Sequence, residues 1–140
     1  MGYDLSNSAG AYVRFTGSGW GLALAVARHY GWKPAGIPKP AKWDDKKYGP
    51  WEDEYCMNAG QEVTAEDAGA LTAALDRAVA APDFVETVAR TVDELNEAVA
   101  QHNPKWRDDL KPASREQAEG FRARLVEFAG LTRQGPFIIE

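Results

Sequence analysis

Cysteine is almost missing from this chain. Cys56 is the only one in 140 residues, so no disulfide can close within it and a reducing compartment is expected. Histidine is nearly as scarce. His29 and His102 belong to no H-x-x-x-H or Cys/His spacing, so no metal or cofactor motif is expected, and no catalytic residue stands out. The longest apolar run, residues 22–27, is far too short to span a bilayer. Positive charge is not in excess: the net charge of −5 argues against a duplex nucleic-acid binder. The start, Met1-Gly2-Tyr3-Asp4, lacks the basic segment of a secretory signal. Together these absences predict a soluble cytoplasmic protein with no nucleic-acid or membrane partner.

What is present suits a single domain over residues 1–140. Hydrophobic residues make up 44% and charged ones 26%, enough to close a core without staples. The clearest structural signal lies in residues 55–80. Asn58-Ala59-Gly60 between Tyr55-Cys56-Met57 and Gln61-Glu62-Val63 predicts a β-hairpin, with Gly60 in the left-handed region. Cys56 then reads as a small buried hydrophobe. Thr64 is placed to cap the next helix, with Asp67 reaching back as in a capping box. Ala68, Leu71, Leu75 and Ala78 give that helix one apolar stripe.

Elsewhere, residues 1–10 read as polar and irregular, and 11–15 as a strand. Ser18 is expected to cap a buried helix running from Gly19 or Trp20 to Tyr30. Asp83 is expected to cap a helix whose Val85, Val88, Val92, Leu95 and Val99 alternate three and four apart. That seam fits an antiparallel helix pair or a homodimer. Ser114 and Gln117 spell a second capping box, before a helix burying Ala118, Phe121, Leu125 and Phe128 and stopping near Gly130. Residues 135–139 close the chain as a strand, expected beside 11–15. The fold class predicted is α+β: about four helices packed on a small, mainly antiparallel sheet of three or four short strands.

Several segments resemble a group of small bacterial proteins of no assigned activity. They are Met1-Gly2-Tyr3-Asp4-Leu5, Ala27 through Tyr30-Gly31-Trp32 to Gly36, Asn58-Ala59-Gly60-Gln61-Glu62-Val63 leading into Ala65-Glu66-Asp67-Ala68, and Gly135-Pro136-Phe137-Ile138-Ile139. The likeness covers most of the chain and implies a shared fold. It implies no catalytic residue, because each motif is a turn, a cap or a helix stop.

Two stretches are candidates for function. Residues 31–53 form a long Pro/Trp/Lys-rich loop, and such loops are often functional. Trp32, Trp43, Tyr48, Trp51 and Tyr55 would give a protein partner large rings to grip. The lysines around them would steer an anionic one. This predicts a binding or interaction protein, an accessory or immunity-type partner. The alternative is a small anionic ligand, bound or simply hydrolysed, at Gly17, Ser18 and Gly19, where a glycine turn opens a helix. Incomplete G-x-G-x-x-G spacing and the lack of a second strand exclude a dinucleotide site. The acidic clusters Asp44-Asp45 and Glu52-Asp53-Glu54 read as solvated charge.

Overall fold

The computed structural model describes residues 2–140; Met1 lies outside them. The element order is β1 (Gly2–Ser6), β2 (Tyr12–Thr16), α1 (Gly17–His29), the short α2 (Asp45–Tyr48), β3 (Gln61–Val63), α3 (Ala65–Ala80), α4 (Phe84–His102), a 3-10 helix (Pro104–Asp109), α5 (Arg115–Thr132) and β4 (Phe137–Ile139). The strands form one antiparallel sheet in the order β2-β1-β4-β3. The α+β expectation therefore holds.

The polar start is a strand and not irregular. Gly2, Asp4 and Ser6 alternate with buried Tyr3 and Leu5, so a period-two pattern runs through a stretch with few apolar residues. Tyr3 faces Phe15 and Leu5 faces Val13 across the ladder. Asn7 closes the turn, its side-chain carbonyl accepting from the N–H groups of Ala9 and Ala11, each at 3.0 Å. The closing strand is not beside β2: β4 lies between β1 and β3.

The hairpin expected at 55–63 does not form. Gln61, fully buried, points its amide inward and donates to the carbonyls of Glu54 (3.1 Å) and Met57 (2.7 Å). Its amide oxygen accepts from Ala59 N–H at 3.0 Å. The chain before β3 thus folds onto a side chain instead of pairing as a strand, and β3 takes β4 as its partner. Gly60 does adopt a positive φ of 73°, and its N–H reaches the Ile139 carbonyl at 3.0 Å. Cys56 ends up exposed and not buried.

Three caps depart from expectation. Thr16, not Ser18, caps α1, accepting from Gly19 N–H at 3.0 Å, so the helix starts at Gly17. Asp83 makes no cap bond to α4; its carboxylate accepts from the Tyr30 hydroxyl at 2.8 Å. Thr64 does cap α3, but Asp67 turns its side chain into the core instead of reaching back. The Ser114–Gln117 box forms as expected, and α5 continues past Gly130 to Thr132.

One apolar core joins the inner sheet face to the helices. Trp20, fully buried, lies within 6 Å of the rings of Tyr3, Phe15 and Phe128, and its indole N–H donates to the Tyr55 carbonyl at 2.8 Å. Burying such a ring with its N–H bonded leaves no polar penalty to offset the gain. No helix among the described residues is long and apolar enough to cross a membrane.

Candidate ligand cleft and the aromatic loop

The aromatic loop is tied to the core by polar bonds that its rings supply. Trp32 is 2% exposed, and its indole N–H donates to Asp67 Oδ1 at 2.9 Å. The Tyr55 hydroxyl donates to Asp67 Oδ2 at 2.5 Å and accepts from Gly36 N–H at 2.9 Å. Ala35 N–H adds a third donor to Asp67 at 3.3 Å. Among the described residues no cation pairs with this buried carboxylate, which is held by two rings and a backbone amide. Burial, then the hydrogen bond to Asp67, push the Tyr55 phenol far above its ordinary value.

The remaining three rings form a knot of their own. Trp43 lies 5.0 Å from Trp51 and 5.1 Å from Tyr48, centroid to centroid. Trp43 donates to the Gly49 carbonyl and Trp51 to the Ile37 carbonyl. Of the five rings expected to meet a partner, Trp32 and Tyr55 are buried and Trp43 and Trp51 half-buried. Only Tyr48 is open, at 55%. The acidic clusters beside them do not gather into a metal site among the described residues. Asp44 caps α2, and Asp45 pairs with Lys39 at 2.9 Å.

A wide concavity lies elsewhere, between α1, α4, α5 and the connector at 110–113. It is a cleft of about 880 Å³ with mainly apolar walls. Its origin lies in α4. Phe84 and Val88 at the start of that helix are buried. Further along, Val92 and Leu95 are only half-buried and Val99 is 36% exposed, since the elements packed on α4 leave them partly uncovered. The connector passes by instead, held where the Asn96 side-chain amide donates to the Lys111 carbonyl at 2.9 Å. Leu22 of α1 and Phe121 of α5 complete the walls. Of the expected helix-pair seam, Val88 belongs to the core and Val85 and Val92 pack against it; Val88, Val92, Leu95 and Val99 also line the cleft.

Small residues keep the cleft open. Gly21 sits inside α1, where a Cβ would meet nothing within 4 Å. Neither a positive φ nor close packing requires glycine there, and glycine in a helix interior costs stability. Ser18 and Gly19 of the expected anion turn also line the cleft; Gly17 does not. The Gly19 N–H is already taken by Thr16.

No family model, curated protein or solved structure matches the chain. Function must therefore be read from this chain's own geometry. The lining contains no Asp, Glu, His or Cys, so no acid–base pair faces the cleft. His29 lies at the far end of α1, 3.3 Å from Glu94, and His102 is exposed at the end of α4. The Cys56 thiol is raised, first by partial desolvation and then by Glu54, which disfavours a reactive thiolate although the residue itself is exposed.

The signal for the cleft was the long apolar stripe of α4. It carries aliphatic positions that sequence alone fitted to an antiparallel helix pair or a homodimer.

Proposed function

We propose that this chain is a small-molecule binding protein whose ligand has an extended apolar body and lies in the cleft between α1, α4 and α5. The observation that carries this is the cleft itself. About 880 Å³ falls within the range of small-ligand sites, and the walls are mainly apolar. Gly21 supports it, being a glycine whose missing side chain leaves usable space. A lining without acid, base or thiol suits binding in preference to turnover. Reading the single cysteine as a reduced thiol keeps a cytoplasmic setting part of the proposal.

The test is titration with Nile red, a neutral apolar fluorophore, against the wild type and Gly21→Leu, with the fold of each checked by circular dichroism. Saturable one-to-one binding by the wild type, lost in a folded Gly21→Leu, is expected. A folded wild type that leaves the dye dark would remove the reading. Sedimentation of the same samples addresses the other occupant of the seam: a dimer through Val88, Val92, Leu95 and Val99 would hand the cleft to a second copy.

A protein-interaction reading, accessory or immunity-type, retains one favourable observation. Tyr48 is open and carries the Lys47 ammonium 5.0 Å from its ring centroid. It is the reading that remains if the cleft takes no small molecule.

A further inference from the structure

The charge around the cleft is one-sided. Arg14, Lys111 and Arg124 are among the lining residues, and no carboxylate is. The chain as a whole runs the other way, with 21 acidic residues against 16 basic ones. Bulk composition therefore does not account for the sign of the cleft. Two of the cations are held in place. The Arg124 guanidinium lies 4.8 Å from the Phe15 ring centroid, donates to the Arg14 carbonyl, and reaches Glu127 at 2.6 Å. The Arg14 side chain points to the other face of β2 from Phe15, where it lies 3.4 Å from Asp4, so its charge is turned away from the cleft. Lys111 is the least compensated: its ammonium donates to the Asp108 carbonyl at 3.1 Å and pairs with no carboxylate.

From Val88 to Val99 the aliphatic wall follows three turns of α4, roughly 16 Å, the reach of an extended acyl chain. We infer that the ligand is a free single-chain amphiphile with an anionic head, its tail along the α4 wall and its carboxylate or phosphate between Lys111 and Arg124. This rests on the reading of the cleft as a small-molecule site. It differs from the anion site expected from sequence, because side-chain cations, not the N–H groups of the α1 turn, supply the charge. The arrangement matches an apolar pocket in which a few convergent polar groups fix one end of the ligand.

The experiment is displacement of Nile red by three probes of equal tail length, each below its micellar concentration: dodecanoate, dodecanol and dodecyltrimethylammonium. Dodecanoate is expected to bind about tenfold tighter than dodecanol, with the trimethylammonium probe weakest. Added salt should narrow the gap by weakening dodecanoate alone. Lys111→Gln should bring dodecanoate toward dodecanol while leaving dodecanol unchanged. Lys111→Arg, which keeps the charge, should keep the preference for dodecanoate and checks that the loss follows charge and not one side chain's packing. Equal affinity for dodecanoate and dodecanol would overturn the head-group assignment and leave the cleft reading standing. Failure of all three probes to displace bound dye would also overturn it, by excluding acyl chains from the cleft. A wild type that never bound the dye would remove the cleft reading itself.

Discussion

The aromatic loop and the cleft invert what their sequences advertise. The loop has four of the rings that dominate binding surfaces, yet its indole N–H groups and the nearby Tyr55 hydroxyl are spent on partners inside the molecule. The cleft has no motif at all, only aliphatic and small residues with Phe121 and a few polar side chains, yet Val92, Leu95 and Val99 on its wall are left partly open. A ring is available to a partner only if its polar atom and its faces are not already engaged. An aliphatic stripe becomes a site wherever helix packing leaves a gap.

The sharpest way to break that comparison is to remove the anchor of the loop. Asp67→Ala would strand the Trp32 indole, the Tyr55 hydroxyl and the Ala35 amide. At about 1–3 kcal/mol for each buried unsatisfied group, the expected loss is on the order of 4 kcal/mol in urea unfolding. A loss below about 1 kcal/mol would mean that the loop is not anchored there.

A smaller effect comes from Tyr55→Phe, which should cost about 1–2 kcal/mol at neutral pH by removing one donor to Asp67 and the acceptor of Gly36 N–H. It carries a pH signature as well. The folded-state phenol is raised above the ordinary value of 10.0, so its contribution is complete below pH 10 and is lost as pH rises beyond it. The wild type should therefore weaken in alkali more steeply than Tyr55→Phe. Parallel pH curves would contradict the buried, proton-donating hydroxyl.

The smallest effect has the opposite sign. Gly21→Ala should raise stability by roughly 0.5–1 kcal/mol, since alanine suits a helix interior better and its Cβ meets only open space. A destabilised Gly21→Ala would show that the cleft wall is closed at that point.

Much of the fold was legible in periodicity. The α3 stripe and the Ser114 capping box express local rules that tertiary packing did not override. Three errors share one cause, a polar side chain that found another partner. Asp67, Asp83 and Gln61 each had a plausible local role in capping or pairing, and each bonds instead to a group that folding brings near. β1 was missed because only Tyr3 and Leu5 of its five residues are buried. Of the candidate site, Ser18 and Gly19 were visible as a helix start, and the α4 aliphatics as a seam. Arg14, Lys111 and Arg124 come from three separate elements, so no spacing along the chain could group them.

The pairing of β1 with β4 bears on how the molecule is made. Leu5 and Ile139 face each other, and the backbone groups of Asp4 and Glu140 exchange two bonds, across more than a hundred intervening residues. β3 has no strand partner except β4. On a ribosome, the β1–β2 hairpin can close early. β3 must wait as an unpaired edge until residue 139 has been synthesised. The five α-helices all precede β4 in the chain, so each can form before the sheet closes.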